Sequence, residues 1–207
     1  MSGQQLEERV QASPAPTIGK RYRYRIPFPR RTRGRWMVAV YEWVEAGLLA
    51  AIVVLLVFTC LLRTATVSGP SMSPTLQSGD RVLILQLGCH DPDYGEIVVI
   101  DRTPAGQPPI IKRVIGKAGD IIDIDFHAGE VWRNGALLEE PYIREPTLTR
   151  WDVQFPLEVP EGHLFVMGDN RNRSADSRSS QIGLVDVRRV MGKAVFRFYP
   201  FQSAGAL

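Results

Sequence analysis

The chain has 207 residues and a formal net charge of +3, with 15 prolines and 18 glycines. This length allows one domain of ordinary size together with a tail and a membrane anchor, and the many turn-forming residues suit a β protein better than a helical bundle. Residues 1–35 carry nine basic side chains against two glutamates, a net of +7, which leaves −4 for residues 36–207. A folded part with a negative balance argues against nucleic-acid binding.

Residues 1–35 are polar and have no hydrophobic period, so we expect a disordered basic tail. A transmembrane anchor is predicted over residues 36–63. At its centre, Ala46–Leu62 holds seventeen residues without a charge. Eight Lys or Arg residues between positions 20 and 35 precede the anchor, whereas only Arg63 follows it directly. This asymmetry predicts a single-pass protein of the cytoplasmic membrane with its N-terminus in the cytoplasm and the rest of the chain outside.

An apolar segment near an N-terminus is also typical of a cleaved signal peptide. Here the apolar region is longer than a usual signal-peptide core, a long basic region precedes it, and Arg63 follows it. These features favour an uncleaved signal-anchor. The alternative, cleavage, would release a soluble domain.

Short β-branched and aromatic runs, separated by turn signals, follow the anchor. They lie at residues 82–85, 96–100, 110–115, 121–126, 163–167 and 190–199. Asn134-Gly135 between two further apolar runs is a strong hairpin signal. We therefore expect a mostly β fold, in which one N-terminal transmembrane helix precedes an all-β domain of antiparallel sheets. The expected bounds are 64–200 for this domain, 127–160 for a smaller cap-like excursion within it, and 201–207 for a C-terminal tail.

The segment Ser68 to Leu76 places the hydroxyl of Ser71 in a constrained but irregular backbone soon after the anchor. Pro70 and Pro74 each fix φ at about −65°, and Gly69 can adopt backbone angles that other residues avoid. Two interpretations are open on this segment alone. It is an ordinary turn at the membrane exit, or a turn that holds a nucleophilic serine.

A nucleophilic serine needs a base, and Lys112 is the strongest candidate in the sequence. The three histidines have no context that indicates a base, whereas Lys112 lies in the predicted strand 110–115. Alternation puts it on one face with Ile110 and Val114, and apolar surroundings lower the pKa of a lysine toward the range of a general base. The alternative is an edge-strand lysine that discourages aggregation.

A third segment, Gly168 to Arg178, follows the predicted strand 163–167 and is dense in hydrogen-bonding side chains. With it, the chain resembles the type I signal peptidases, membrane-bound serine proteases that remove signal peptides from exported proteins. Four segments carry the resemblance, in the family's order after one N-terminal anchor, and together they cover most of residues 36–199. The segments are Ser68 to Leu76, Gly79 to Val82, Lys112 to Asp120, and Gly168 to Arg171 with Ser174 to Arg178.

The resemblance implies a role for each matching position. Ser71 is expected to be the acylating nucleophile and Lys112 its general base. Ser174 is expected to hold Lys112 by a hydroxyl hydrogen bond, and Met72 to pack beside the nucleophile, near the membrane.

The resemblance also implies supporting residues. Asp176 is expected to pair with Arg113 and Arg178 and so to brace the site. The oxyanion hole should use the backbone N–H of the nucleophile. Some family members carry a serine that donates a second hydrogen bond there. This chain has Gly69 at that position, which implies a hole that rests on the backbone, with the reach of Ser68 left open.

Taken together, the resemblance implies a serine endopeptidase that cleaves signal peptides after small residues, typically alanine one and three positions before the cut. Its expected partners are the signal peptides of exported preproteins and the lipid bilayer, and no nucleic acid, metal or organic cofactor is expected. Two alternatives are open. One is a Ser/Lys peptidase with a dedicated substrate, such as a pilin or a conjugation factor, and the other is a membrane-anchored binding protein without turnover.

Overall fold

The structure of the chain, a computed structural model, describes residues 35–102 and 106–207, without the side chains of Arg35 and Cys60. The basic tail expected at residues 1–35 lies outside this range except for Arg35. The chain divides into two units, residues 1–46 and 47–207. The boundary falls within the first helix, and every described strand belongs to the second unit.

Helix α1 runs from Arg35 to Cys60. Its segment Trp36–Thr59 is the one span among the described residues that is long and apolar enough to cross a membrane. At about 1.5 Å per residue, this segment measures about 36 Å, more than a hydrocarbon core of about 30 Å. Its large apolar side chains, except for the half-buried Val57, are exposed, unlike those of a core helix. Leu62 and Arg63, placed in the anchor by the sequence, instead begin the first strand.

Twelve strands follow within the described residues, and all their pairings are antiparallel. They are β1 (Leu62–Thr66), β2 (Arg81–Leu85), β3 (Ile97–Ile100), β4 (Ile110–Gly116), β5 (Ile121–Asp125), β6 (Glu130–Arg133), β7 (Ala136–Leu137), β8 (Leu157–Glu158), β9 (His163–Met167), β10 (Val185–Asp186), β11 (Val190–Tyr199) and β12 (Gly205–Ala206). In the described part of the chain, eight of them form one sheet in the order β1-β2-β11-β3-β4-β9-β10, with β12 on β11. Four form a second sheet in the order β7-β6-β5-β8.

The predicted fold class is confirmed: an N-terminal apolar helix precedes antiparallel sheets. The six predicted runs are found as β2, β3, β4, β5, β9 and β11. Asn134 and Gly135, with φ of 53° and 77°, form the turn between β6 and β7, where Arg133 pairs with Ala136. The second sheet begins at Ile121, ahead of the excursion expected from residue 127, because β5 pairs with β6 along its length.

The segment after Ser71 is fastened to the core of the larger sheet. Met72 and Leu76 are fully buried and share an apolar cluster with Val82 and Ile97. Burial of side chains of this size stabilises a fold by about 1.5–3 kcal/mol each. Met72 therefore packs into the protein core directly beside Ser71. The core positions the turn that carries Ser71.

Candidate active site

Ser71 lies in the segment between β1 and β2, and the backbone is fixed on both sides of it. Upstream, Gly69 adopts a φ of +87°, a left-handed value that favours glycine, and its N–H donates to Ser78 Oγ at 3.3 Å. Downstream, the Ser73 N–H donates to Pro70 O at 3.1 Å and closes a turn around Ser71. The serine hydroxyl is therefore held in one place without regular secondary structure.

Lys112 reaches this turn from β4. Its Nζ donates to Ser71 Oγ at 2.9 Å and to Ile111 O at 3.0 Å. Only 3% of the residue is exposed, and in the sheet register it lies opposite Val98. The two side chains that the sequence singles out as nucleophile and base are in direct contact.

Burial lowers the pKa of Lys112 from its ordinary value of 10.5 to about 8, because the enclosed ammonium loses its hydration. Nearby charges largely oppose one another: Asp176 and Asp169 raise this pKa, whereas Arg102 and Arg178 lower it. Among the described residues no carboxylate forms an ion pair with Lys112. The loss of hydration therefore dominates the pKa of Lys112. At pH 8, Lys112 is neutral in roughly half of the molecules and can accept a proton.

Arg113, the next residue on β4, forms a bidentate ion pair with Asp169, at 2.8 and 2.7 Å. The expected pair between Arg113 and Asp176 is therefore wrong. Asp169 follows β9, in which Met167 lies directly opposite Arg113, so the carboxylate two positions later reaches the guanidinium. Thr75, from the nucleophile segment, donates to the same carboxylate at 2.5 Å. This ion pair joins the nucleophile segment, β4 and the 168–178 loop.

Asp176 is fully engaged elsewhere. Its carboxylate accepts hydrogen bonds from Arg178 Nε and Nη2 at 2.8 and 2.9 Å and from the Gly168 N–H at 3.0 Å. The side chains of Asp176 and Arg178 are both 0% exposed. The pair closes the loop on itself and leaves no oxygen for Arg113.

Ser174 lies at the site but does not hold Lys112. Its Oγ is buried and has no hydrogen-bond partner among the described residues, while Lys112 Nζ donates to Ser71 and to Ile111 O. A Cβ placed on Gly168 would collide with both Ser174 and the Ser71 carbonyl oxygen. The expected hydrogen bond is therefore absent, although Ser174 packs against the same glycine as the nucleophile turn.

A second buried ion pair backs the 168–178 loop. Arg171 is fully buried, and its guanidinium donates to both carboxylate oxygens of Glu140 at 2.7 and 2.5 Å. The same side chain donates to Thr147 Oγ1 at 3.0 Å and to Gly168 O at 3.1 Å. Residues of the 136–160 segment thus support the loop through Arg171.

Tyr142 lies between the two ion pairs. The guanidinium carbon of Arg113 is 4.1 Å from the centroid of its ring, and its hydroxyl donates to Glu140 Oε1 at 3.1 Å. Burial raises the pKa of Tyr142, and the Glu140 carboxylate adds to the effect. Neither Tyr142 nor Glu140 was predicted from the sequence. A Glu-Pro-Tyr segment without alternation carries no sign of its partner, and Arg171 lies 31 positions away from Glu140.

A groove of about 340 Å³ opens beside Ser71 and Lys112. Val82 of β2 and Val99 of β3 line it, together with the end of β1 and residues 108–111. This lining is mainly aliphatic, and it runs between an edge strand of the larger sheet and the strand that carries Lys112. The groove can take an extended polypeptide whose side chains at this point are small and apolar.

Comparison with known proteins gives one consistent result. The family model described as signal peptidase, peptidase S26, matches residues 40–199. Signal peptidase I of Bacillus licheniformis is 36% identical over 172 residues, which are 79% of this chain and 90% of that protein. The probable signal peptidase I-2 of Synechocystis sp. is 35% identical over 175 residues, 80% of this chain and 77% of that protein. A crystal structure of a signal peptidase I from Enterococcus faecalis matches with a TM-score of 0.42 and 30% identity, covering 50% of this chain and 96% of that one.

The buried pair between Arg171 and Glu140 predicts a large effect of removing one charge. Glu140→Gln leaves the Arg171 guanidinium buried without a counter-charge, and we expect the free energy of unfolding to fall by about 3–5 kcal/mol. Thermal unfolding of the purified protein in detergent measures this as a lower Tm. Glu139→Gln is the matched control, since Glu139 is exposed, and it should change stability by less than about 0.5 kcal/mol. Equal Tm values for the two variants would contradict the prediction.

Proposed function

The chain belongs to the signal peptidase family, peptidase S26, a family of serine peptidases, and we propose that Ser71 is the nucleophile of this chain and Lys112 the general base. One observation carries the proposal: Lys112 Nζ lies 2.9 Å from Ser71 Oγ. A candidate base must be within hydrogen-bond reach of the proton that it removes, and its pKa must then suit the working pH. Burial, which lowers the pKa of Lys112 to about 8, meets the second condition.

The reaction proceeds by acyl transfer. Neutral Lys112 takes the proton of the Ser71 hydroxyl as Oγ attacks the scissile carbonyl carbon, and the carbonyl oxygen becomes an oxyanion near the Ser71 N–H. The Lys112 ammonium then protonates the leaving amine, and the acyl group stays on Ser71 as an ester. Lys112 next removes a proton from water, which hydrolyses the ester and frees the serine. No step in this sequence calls for a metal or an organic cofactor.

The substrate is the signal peptide of an exported preprotein, bound as an extended strand in the groove beside Ser71. The aliphatic lining of this groove and its modest volume of about 340 Å³ support small residues, typically alanine, one and three positions before the cut. We expect larger side chains at these positions to slow cleavage.

The N-terminus of the chain lies in the cytoplasm and residues 64–207 lie outside the cytoplasmic membrane. Support comes from helix Trp36–Thr59, which is long enough to span a bilayer, and from the basic residues that precede it. A protease added to spheroplasts that express the protein should therefore digest the part after the anchor. The same part should be protected in inverted membrane vesicles, and the opposite pattern would reject this topology.

The dyad predicts that Ser71→Ala and Lys112→Ala each lower preprotein cleavage at least about 1,000-fold, because the nucleophile or its base is lost. The assay is cleavage, by protein purified in detergent, of two unrelated preproteins that carry alanine one and three positions before the cut. Lys117→Ala is the control, since Lys117 pairs with Asp91 away from the site; it should retain the wild-type rate.

Each outcome of this experiment bears on a separate part of the proposal. Wild-type cleavage by either dyad variant would reject the assigned dyad. Cleavage of only one preprotein would favour a peptidase with a dedicated substrate. A third preprotein with leucine directly before the cut should resist cleavage, and its rapid cleavage would reject the proposed selection of small residues.

The lowered pKa of Lys112 predicts the pH dependence of the reaction. Only the neutral amine accepts a proton, so kcat/KM should rise with pH, with a midpoint at about 8, and level off above it. A lysine with its ordinary pKa of 10.5 would give no plateau below that value. Rates measured between pH 6 and 10 test this, and an absence of any rise between pH 7 and 9 would contradict the assignment of Lys112 as base.

A further inference from the structure

The Ser71 N–H is the backbone donor expected to stabilise the developing oxyanion. Gly69 has no hydroxyl to offer, and its N–H is committed to Ser78 Oγ at 3.3 Å. The Ser71 N–H, in contrast, makes no hydrogen bond to any described residue. Stabilisation by this N–H is sensitive to the direction in which the group points, because hydrogen bonds weaken steeply away from linearity.

The direction of the Ser71 N–H is set by the peptide unit to which it belongs. Pro70 C=O and Ser71 N–H are the two ends of one planar trans peptide, and they point in opposite directions. Pro70 O accepts a hydrogen bond from Asn170 Nδ2 at 3.1 Å and another from the Ser73 N–H at 3.1 Å. The hydrogen bonds that fix the direction of Pro70 C=O therefore also fix the direction of the Ser71 N–H, which belongs to the same plane.

Asn170 also contacts the turn around Ser71 at a second point. Its backbone N–H donates to Ser71 O at 3.0 Å, so a single residue contacts the peptide units on both sides of Ser71. Asn170 is itself held in place, with 4% of its surface exposed. Its neighbours Asp169 and Arg171 form the buried ion pairs with Arg113 and Glu140.

We propose that Asn170 is a positioning residue for the oxyanion hole, and that its side-chain amide aims the Ser71 N–H at the scissile carbonyl oxygen by fixing Pro70 O. This inference rests on the proposed function of Ser71 as nucleophile. A hydrogen bond accepted by a peptide carbonyl also polarises the N–H of the same peptide and strengthens it as a donor. Asn170 thus acts on the transition state through the backbone and has no need to touch the substrate.

Asn172, in the same loop, supplies a matched comparison. Its Nδ2 donates to Pro146 O, also at 3.1 Å, and its Oδ1 accepts from the N–H groups of Leu148 and Thr149. Its side chain makes more hydrogen bonds than that of Asn170, but none to the nucleophile turn. If loss of loop contacts alone mattered, Asn172→Ala would be the more damaging change.

The test compares Asn170→Ala with Asn172→Ala in the preprotein assay, using the full chain in detergent. We expect kcat to fall about 10-fold for Asn170→Ala, less than for outright removal of an oxyanion donor, because the Ser73 N–H still holds Pro70 O. KM and the pH midpoint near 8 should stay unchanged, because substrate binding and Lys112 are not affected. Asn172→Ala should stay within 2-fold of the wild type in kcat.

A peptide aldehyde separates positioning of the hole from a general loosening of the site. Ser71 Oγ adds to the aldehyde carbon, the C=O electron pair moves to the oxygen, and the serine proton passes to Lys112, so the new oxyanion occupies the hole. Asn170→Ala should weaken inhibition by the aldehyde about 10-fold, while inhibition by the corresponding peptide alcohol, which has no carbonyl to attack, should change less than 2-fold. Should Asn170→Ala not fold, the isosteric Asn170→Asp removes the same donor and can be assayed on its own pH plateau.

The outcomes separate this inference from the proposed function. Equal losses for Asn170→Ala and Asn172→Ala, a raised KM with unchanged kcat, or equal weakening of the aldehyde and the alcohol would overturn the role of Asn170. If Ser71→Ala retained the wild-type rate, the proposed function itself would fail. Loss of activity in Ser71→Ala with full activity in Asn170→Ala would reject the role of Asn170 and leave the function standing.

Discussion

The site depends on a lysine that is kept out of water and away from any direct counter-charge. Lowering its pKa from 10.5 to about 8 corresponds to about 3 kcal/mol against the charged form, which the fold must sustain. A carboxylate within about 4 Å would reverse this shift. Asp169 and Asp176 are both close enough to act on Lys112, but each is bound to an arginine. The ion pairs of the 168–178 loop therefore do more than brace it, because they leave the pKa of Lys112 low.

The same arrangement explains why so many charged residues are buried around one serine. Arg171 and Arg178 are fully buried, and isolated charges at such depth are strongly unfavourable. Buried pairs of this kind add little net stability compared with apolar residues of equal volume. Their value here is geometric, since each pair fixes a short piece of irregular backbone whose peptide groups meet the nucleophile turn. Glu140 and Tyr142 extend this polar core into the segment between β7 and β8 of the second sheet.

Much of this could be predicted from the sequence, and the failures have definite causes. Alternation identified the long strands, and the segments around Ser71 and Lys112 brought those two residues to attention before their contact was known. Two-residue strands such as β8 and β10 contain too little pattern to be recognised. The Asp176 partner of Arg113, implied by the family resemblance, was wrong because Asp169 lies in the same loop, and only the register of β4 against β9, with Arg113 opposite Met167, decides between the two. Glu140 was missed because its contact is purely tertiary.

Because these ion pairs are buried, the salt concentration of the surrounding solution has little effect on them. Mobile salt ions reduce the range of electrostatic interactions from about 10 Å at 0.1 M to about 3 Å at 1 M, but only for charges that solvent reaches. Arg178 and Asp176 are completely shielded, and Arg171 and Glu140 are nearly so. The geometry around Lys112 should consequently be indifferent to ionic strength. A site built from enclosed charges therefore keeps its shape when the salt concentration changes, whereas one built from surface charges would not.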